Sequence, residues 1–328
     1  MMRHSLSFLV FLLCSVSGFC ADSSSPLKLL TSIPMPGITG RIDHFAIDLQ
    51  HQTVFVAALG ANSVVAVDIR QGKVLGSITG LKEPQGLLYV PENGHLYIAN
   101  GSDGSVRIYE AATLKPLKTV PLGDDADNIR YDASQRIVWV GYGGGALAAL
   151  DLEGNKLFDV NISDHPESFA LEHRGDRIYV NVPRSKQVAV VDRSARKVVA
   201  TFGTGLTLGN YPMAFDEADS RIFIGCRLPA RLLVLDSASG KTVASLDTVS
   251  TTDDLFYDAA RHRIYVLGGG GYVVTYIQSD ANTYSEISRF ATGPGGRTGL
   301  FIPEQGLLLV ATPHNDSKDA AVLVYQVQ

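Results

Sequence analysis

Charge is scarce in this chain. Asp, Glu, Lys and Arg together make up 19% of its 328 residues, tryptophan occurs once and cysteine three times. With hydrophobic residues at 45%, low charge argues against long disordered tails. The chain has no CxxCH for haem attachment, no HExxH and no CxxC pair. Its glycine clusters, Gly143–Gly145 and Gly268–Gly271, lack the Lys-Ser/Thr that completes a phosphate-cradling loop. They read as tight turns in crowded places. Lys and Arg number 28 against 33 Asp and Glu, a formal charge of −5. That balance is a poor electrostatic match to nucleic acid or to an anionic membrane surface.

The first twenty residues read as a secretory signal. Arg3 supplies a positive start, Leu6–Val16 is an apolar run, and Gly18 and Cys20 stand at −3 and −1 of a cut before Ala21. The run is too short to span a bilayer. Residues 21–26 read as a linker, and no transmembrane segment is expected after cleavage. Phe19 disfavours lipoprotein anchoring at Cys20, so a periplasmic or extracellular location is expected. Cys14 and Cys20 would leave with the signal. Cys226 alone cannot form an internal disulfide, so stability must come from core burial. A monomer is expected.

What the chain has in abundance is repetition. A strand of basic or polar, aliphatic, aromatic, aliphatic character recurs with its centre at Phe55, Tyr97, Trp139, Tyr179, Phe223, Tyr265 and Leu309, at intervals of 40 to 44 residues. Such a period with strand-like content predicts an all-β, seven-bladed β-propeller of four-stranded antiparallel blades. The repeats fall near 42–84, 85–126, 127–166, 167–211, 212–253, 254–297 and 298–328, one domain over 27–328. The seventh repeat lacks a fourth strand, and Lys28–Ile33 is unassigned. That segment is expected to supply the outer strand of the last blade and close the ring. Asp132, Asp216 and Asp258, each followed shortly by Arg136, Arg221 and Arg263, read as turn chemistry and surface charge.

Up-and-down strand order places the loops that enter each innermost strand on the same face as the loops joining the second and third strands. Equivalent positions at the innermost strand starts are Asp43, Gln85, Asp127, Glu167, Tyr211, Asp253 and Arg297. The next positions add His44, Asn128, Ser168 and Asp254. An acidic ring around the axial channel is expected, with Arg297 in it. Crowded carboxylates require an offset from a metal or cationic ligand, shared protons, or nearby arginines. Asp127, Glu167 and Asp253 form the candidate metal set, better suited to Ca²⁺ or Mg²⁺ than to zinc. Tyr142, Arg184, Arg231, Tyr272 and His314 join the same face from the second loop set. In Gly225–Arg231 (GCRLPAR), Arg227 and Arg231 stand beside the acidic ring, to pair with it or to clamp an anionic substrate. Cys226 beside Arg227 reads either as a thiol of lowered pKa or as a small buried residue. Ser168 with His44 is a conceivable catalytic pair.

Six segments carry a resemblance: GRIDHFAID (Gly40–Asp48), LKEPQGLLYV (Leu81–Val90), GDDADNIRYD (Gly123–Asp132), HPESFALE (His165–Glu172), GCRLPARLLVLD (Gly225–Asp236) and TDDLFYD (Thr252–Asp258). In these the chain resembles the bacterial YVTN-repeat β-propellers, the YncE-like exported proteins. The resemblance implies seven four-stranded blades and an extracytoplasmic location. Relatives of that kind are associated with DNA binding, and neighbouring propellers with quinoprotein dehydrogenases. The acidic balance does not favour the first, and no redox-cofactor motif supports the second. The reading that follows is a binding or scaffolding module, for a small molecule or a protein partner, acting through the channel-mouth face. The alternative is a hydrolase or lyase using a divalent cation held by Asp127, Glu167 and Asp253, with Asp43–His44 as acid/base element. A DNA-binding propeller is the second alternative.

Overall fold

The computed structural model describes residues 25–328. The signal-peptide and linker expectations fall on residues that lie outside this range, apart from Ser25 and Pro26. Within it the chain forms seven sheets of four antiparallel strands, a seven-bladed β-propeller. The innermost strands of blades 1 to 7 are Phe45–Asp48, Pro84–Val90, Ala126–Asp132, Phe169–Leu171, Leu208–Asp216, Thr252–Asp258 and Gly299–Ile302.

The recurring aromatic sits on the second strand of each blade because that strand is covered on both faces by neighbouring blades. Phe55, Tyr97, Trp139, Tyr179, Phe223, Tyr265 and Leu309 are each at most 1% exposed. Full burial of side chains this size is worth roughly 1.5–3 kcal/mol apiece. Many stack on a residue of the next blade: Tyr179 meets Phe215, Phe223 meets Tyr257, and Tyr265 meets Phe301, with ring centroids 5.1 to 5.4 Å apart. The repeat is thus a packing device, each blade presenting one large side chain to the next.

Ring closure follows the expected route. Leu27–Met35 pairs antiparallel with Ala320–Val327, from Leu27 opposite Val327 to Met35 opposite Ala320, and completes blade 7. Leu27, Ile33 and Met35 are buried, Ile33 and Met35 against residues of blades 1 and 7. A fourth strand taken from the far end of the chain covers the edge of Ala320–Val327 and ties the two chain ends together in one blade.

The aspartates at strand ends do turn chemistry. Asp132 Oδ1 accepts the backbone N–H groups of Ser134 and Gln135, and Asp258 and Asp216 repeat the pattern. Arg136, Arg221 and Arg263 form no ion pair with them, whereas Arg261 donates to Asp258 Oδ2 at 3.2 Å. Asp132 instead binds Arg193 of blade 4, and Asp216 accepts from Nε2 of Gln278 of blade 6 at 3.0 Å. These are equivalent latches between neighbouring blades.

Close approach of innermost strands also dictates residue size. A Cβ on Gly86 would lie 2.1 Å from the carbonyl oxygen of Asp127, so blade 2 reaches blade 3 at this depth only without a side chain. The glycine clusters are the hairpin turns between second and third strands, with Gly271 N–H bonded to Gly268 C=O at 2.9 Å.

Candidate functional site

Where blades converge, strand starts from different repeats come within contact distance. A mouth cavity of about 290 Å³ is lined by Arg41, His44, Gln85, Asp125, Asp127, His165, Glu167, Pro183, Arg184, Tyr211, Arg227 and Asp253. Six blades contribute to it, and Arg297 of the seventh touches it through Asp253. A second cavity of about 530 Å³ follows the channel between the innermost strands, with Arg130, Ser168 and Asp254 on its wall. His44 lines both and stands between them.

Of the offsets the sequence left open for the crowded carboxylates, nearby arginines are the one seen at Asp43 and Asp253. Asp253, 7% exposed, is bound through Oδ1 by Nη2 of Arg227, and its Oδ2 lies 3.0 Å from Nε of Arg297. Arg41 donates from Nη2 to Asp43 Oδ2 at 2.7 Å and comes within 3.7 Å of Asp253. Arg227 lies flat on Tyr211, its guanidinium carbon 3.6 Å from the ring centroid, and donates Nε–H to Thr252 C=O. Blades 5, 6, 7 and 1 thus form a side dominated by guanidinium groups.

Blades 3 and 4 form the other side. Asp125, Asp127, His165 and Glu167 gather there, and Gln85 of blade 2 donates to Asp125 at 3.2 Å. His165 Nδ1 donates to Gly143 C=O at 2.7 Å, and its Nε2 faces Asp127 Oδ2 at 3.8 Å. Donor atoms of Asp127, His165 and Glu167 all lie within 4.8 Å of one another. Of the three residues offered by the sequence as metal ligands, Asp127 and Glu167 come together, with His165 beside them, and Asp253 faces arginines instead.

Electrostatics follow from this crowding. Burial and the Asp127 charge push the Glu167 carboxyl well above its ordinary value. Burial works in the same direction on Asp127, but neighbouring His165 and the positive charge of His44 outweigh it and hold Asp127 low. Asp43 is raised to about 6 by burial, against the pull of His44 and Arg41. For His44 burial acts downward, yet Asp254 and Asp43 dominate and lift the imidazole to about 10. Its Nδ1 is 3.1 Å from Asp254 Oδ1, and Asp254 Oδ2 accepts Gly299 N–H at 2.8 Å.

Six expected site residues do not line the mouth itself: Asp43, Asp254 and Arg297, whose contacts are given above, and Asn128, Ser168 and Cys226. Asn128 and Ser168 both accept hydrogen bonds from Nη2 of Arg130, at 3.3 and 3.2 Å. With Ser168 on Arg130 and His44 on Asp254, no Ser-His pair forms. Cys226 is fully buried, and burial pushes its thiol up to about 11. The lowered-pKa reading of Cys226 is corrected for a specific reason. The segment is no open loop: the second strand of blade 5 continues to Leu228, Cys226 pairs with Arg231, and its side chain turns into the blade core.

Arg41, Asp125 and His165 were not among the ring positions taken from the sequence. Each precedes a ring residue by two, and in an extended strand positions i and i−2 share a side. Applying that period to the strand starts finds all three.

Comparison with known proteins bears on the fold. No protein-family model matches the chain, and no curated protein matches it. Solved structures do: 1763 chains, so widespread a likeness that it cannot choose among functions. Hydrazine synthase of Kuenenia stuttgartiensis superposes with a TM-score of 0.76 at 16% identity, covering 90% of this chain and 99% of that one. A chain of the mitotic checkpoint complex gives 0.77 at 13% identity, covering 99% of each. Identities this low show the seven-bladed propeller and nothing finer. Among the described residues no helix is long and apolar enough to cross a membrane.

Proposed function

We propose that the protein is a binding propeller that holds a small polar ligand at the mouth of its central channel, with an anionic group of the ligand toward the guanidinium side. The division of the mouth into two chemically different halves carries this reading. Arg41 and Arg227 line one half, and the carboxylates and imidazole of blades 3 and 4 line the other, where the one guanidinium, Arg184, is exposed and directed to Asp164. Arg41 and Arg227 retain N–H donors beyond those spent on Asp43, Asp253 and Thr252, since a guanidinium has five. Stacking on Tyr211 fixes the plane of Arg227 and prepares it for a planar anion. A polar cavity of about 290 Å³ suits a small metabolite rather than a macromolecule. A scaffolding role for the rims is compatible with this, given the mitotic checkpoint complex among the structural neighbours.

The quoted sequence segments support placing the chain among exported YVTN-type propellers, and the Arg3, Leu6–Val16 and Cys20 pattern supports passage across a membrane. Cell fractionation with N-terminal sequencing of the mature chain tests that part.

The binding reading is tested by thermal shift and calorimetry in the presence of chelator, using a panel of small dicarboxylates, amino acids and sugar acids. A ligand at 100 times its Kd stabilises by about 2.7 kcal/mol. The expected outcome is one molecule bound per chain, with affinity lost in Arg227→Met and kept in Lys73→Ala on an outermost strand. Equal binding by both variants removes the mouth as the site.

A further inference from the structure

Asp127, His165 and Glu167 come from two adjacent blades and meet on the wall of the mouth cavity. We propose that these three side chains bind one divalent first-row transition ion, zinc being the reference ion, with a remaining coordination position open to the mouth cavity. This goes beyond the capture of a small polar ligand and does not depend on it.

The orientation of His165 is the first support. Its Nδ1 donates to the Gly143 carbonyl at 2.7 Å, so in the neutral imidazole the lone pair resides on Nε2. That nitrogen points to Asp127 Oδ2 at 3.8 Å. Metal-binding histidines are held this way, one nitrogen on a carbonyl or carboxylate and the other on the ion.

Asp127 is the second and independent support. It is 6% exposed, lines the cavity, and among the described residues is met by no Arg, Lys or backbone N–H; its polar neighbours are the other two members, His165 and Glu167. Its closest basic atom, His165 Nε2, is too distant for a hydrogen bond. A carboxylate this buried and flanked only by a second carboxyl and an imidazole is costly, and an ion among the three removes the cost.

Donor chemistry selects the ion. One imidazole nitrogen with carboxylate oxygens favours zinc, iron, cobalt or nickel over calcium and magnesium, which take oxygen sets. Three protein ligands with one open position is the arrangement of reactive zinc sites. Tetrahedral zinc with bonds of about 2.0–2.2 Å puts its donors ~3.4 Å apart, so the triad, at up to 4.8 Å, must draw in by up to ~1.4 Å through side-chain rotation. The open position faces a cavity whose other wall carries Arg41 and Arg227, so an oxygen donor on the ion would have guanidinium partners across the mouth.

The experiment uses the full chain, stripped with EDTA and dialysed, then titrated with Zn²⁺ by calorimetry with no organic ligand present. Co²⁺ gives a second readout through its visible absorption. One ion per chain is expected, with affinity reduced at least ~100-fold in Asp127→Asn, His165→Gln and Glu167→Gln and unchanged in His173→Ala on the surface. Metal-free melting curves establish that the variants fold; if one does not, the other two decide. No stoichiometric uptake, or equal uptake by the three ligand variants, overturns the proposal. Because the titration contains the ion alone, its failure leaves the small-ligand reading standing, and failure of the ligand panel leaves the metal site standing.

Discussion

Nδ1 of His44 and Oδ1 of Asp254 meet at 3.1 Å although 210 positions separate them. One belongs to blade 1 and the other to blade 6, so the contact reaches past the whole of blade 7. Blade 7 joins it by giving Gly299 N–H to the other Asp254 oxygen. Near the axis the blades are narrow, and a side chain of ordinary length crosses one. The result is a charged partition between the mouth and the channel beneath it.

That partition has a pH signature. His44 titrates near 10 when folded, against 6.5 ordinarily, because Asp254 and Asp43 outweigh burial. A histidine with a raised folded pKa contributes stability that is complete below about 6.5 and disappears as pH climbs through about 10. Asp43, raised to about 6, acts in the same direction earlier: its protonated form favours the fold, and that contribution goes between about 3.8 and 6. Urea unfolding from pH 5 to 10.5 should show stability falling on the alkaline side, and His44→Gln should flatten that slope. A wild-type slope no steeper than the variant's refutes the assignment.

Arg193 and Asp132 latch blade 4 to blade 3, both buried. Removing one member of a buried ion pair strands the other and costs about 3–5 kcal/mol. Arg193→Met should fall toward the lower end, since Asp132 keeps the N–H groups of Ser134 and Gln135. Denaturant midpoints at constant m-value measure it; a loss under about 1 kcal/mol would show that the latch contributes little.

Ring closure rests on Ile33 and its strand. Ile33 is fully buried against blades 1 and 7. Ile33→Ala should cost about 2–5 kcal/mol, and deletion of residues 21–36 should lower the thermal midpoint sharply. An unchanged midpoint on deletion contradicts closure through Leu27–Met35.

Cys226 should be inert while the protein is folded. Its thiol is buried and raised to about 11, so little thiolate forms at neutral pH. Alkylation mapped by peptide mass should modify Cys226 only after denaturant is added. Rapid labelling of the native chain would return Cys226 to the list of reactive groups.

Much of this molecule was legible in one dimension. The recurrence from Phe55 to Leu309 specifies seven blades because every blade solves the same packing problem and needs the same large buried residue at the same place. The unassigned segment before the first repeat pointed to closure for a related reason, an unpaired edge being costly. The positions Asp43, Asp127, Glu167 and Asp253 could be aligned as a ring from the period alone. Their charge state could not, because it depends on neighbours from other repeats. Arg41 offsets Asp43, Arg227 and Arg297 take Asp253, and His165 turns to Asp127. Local sequence dictates which residues face the axis, since strand alternation is set by the backbone. Only the closed ring decides which of them touch, because convergence on an axis brings together side chains that no distance along the chain relates.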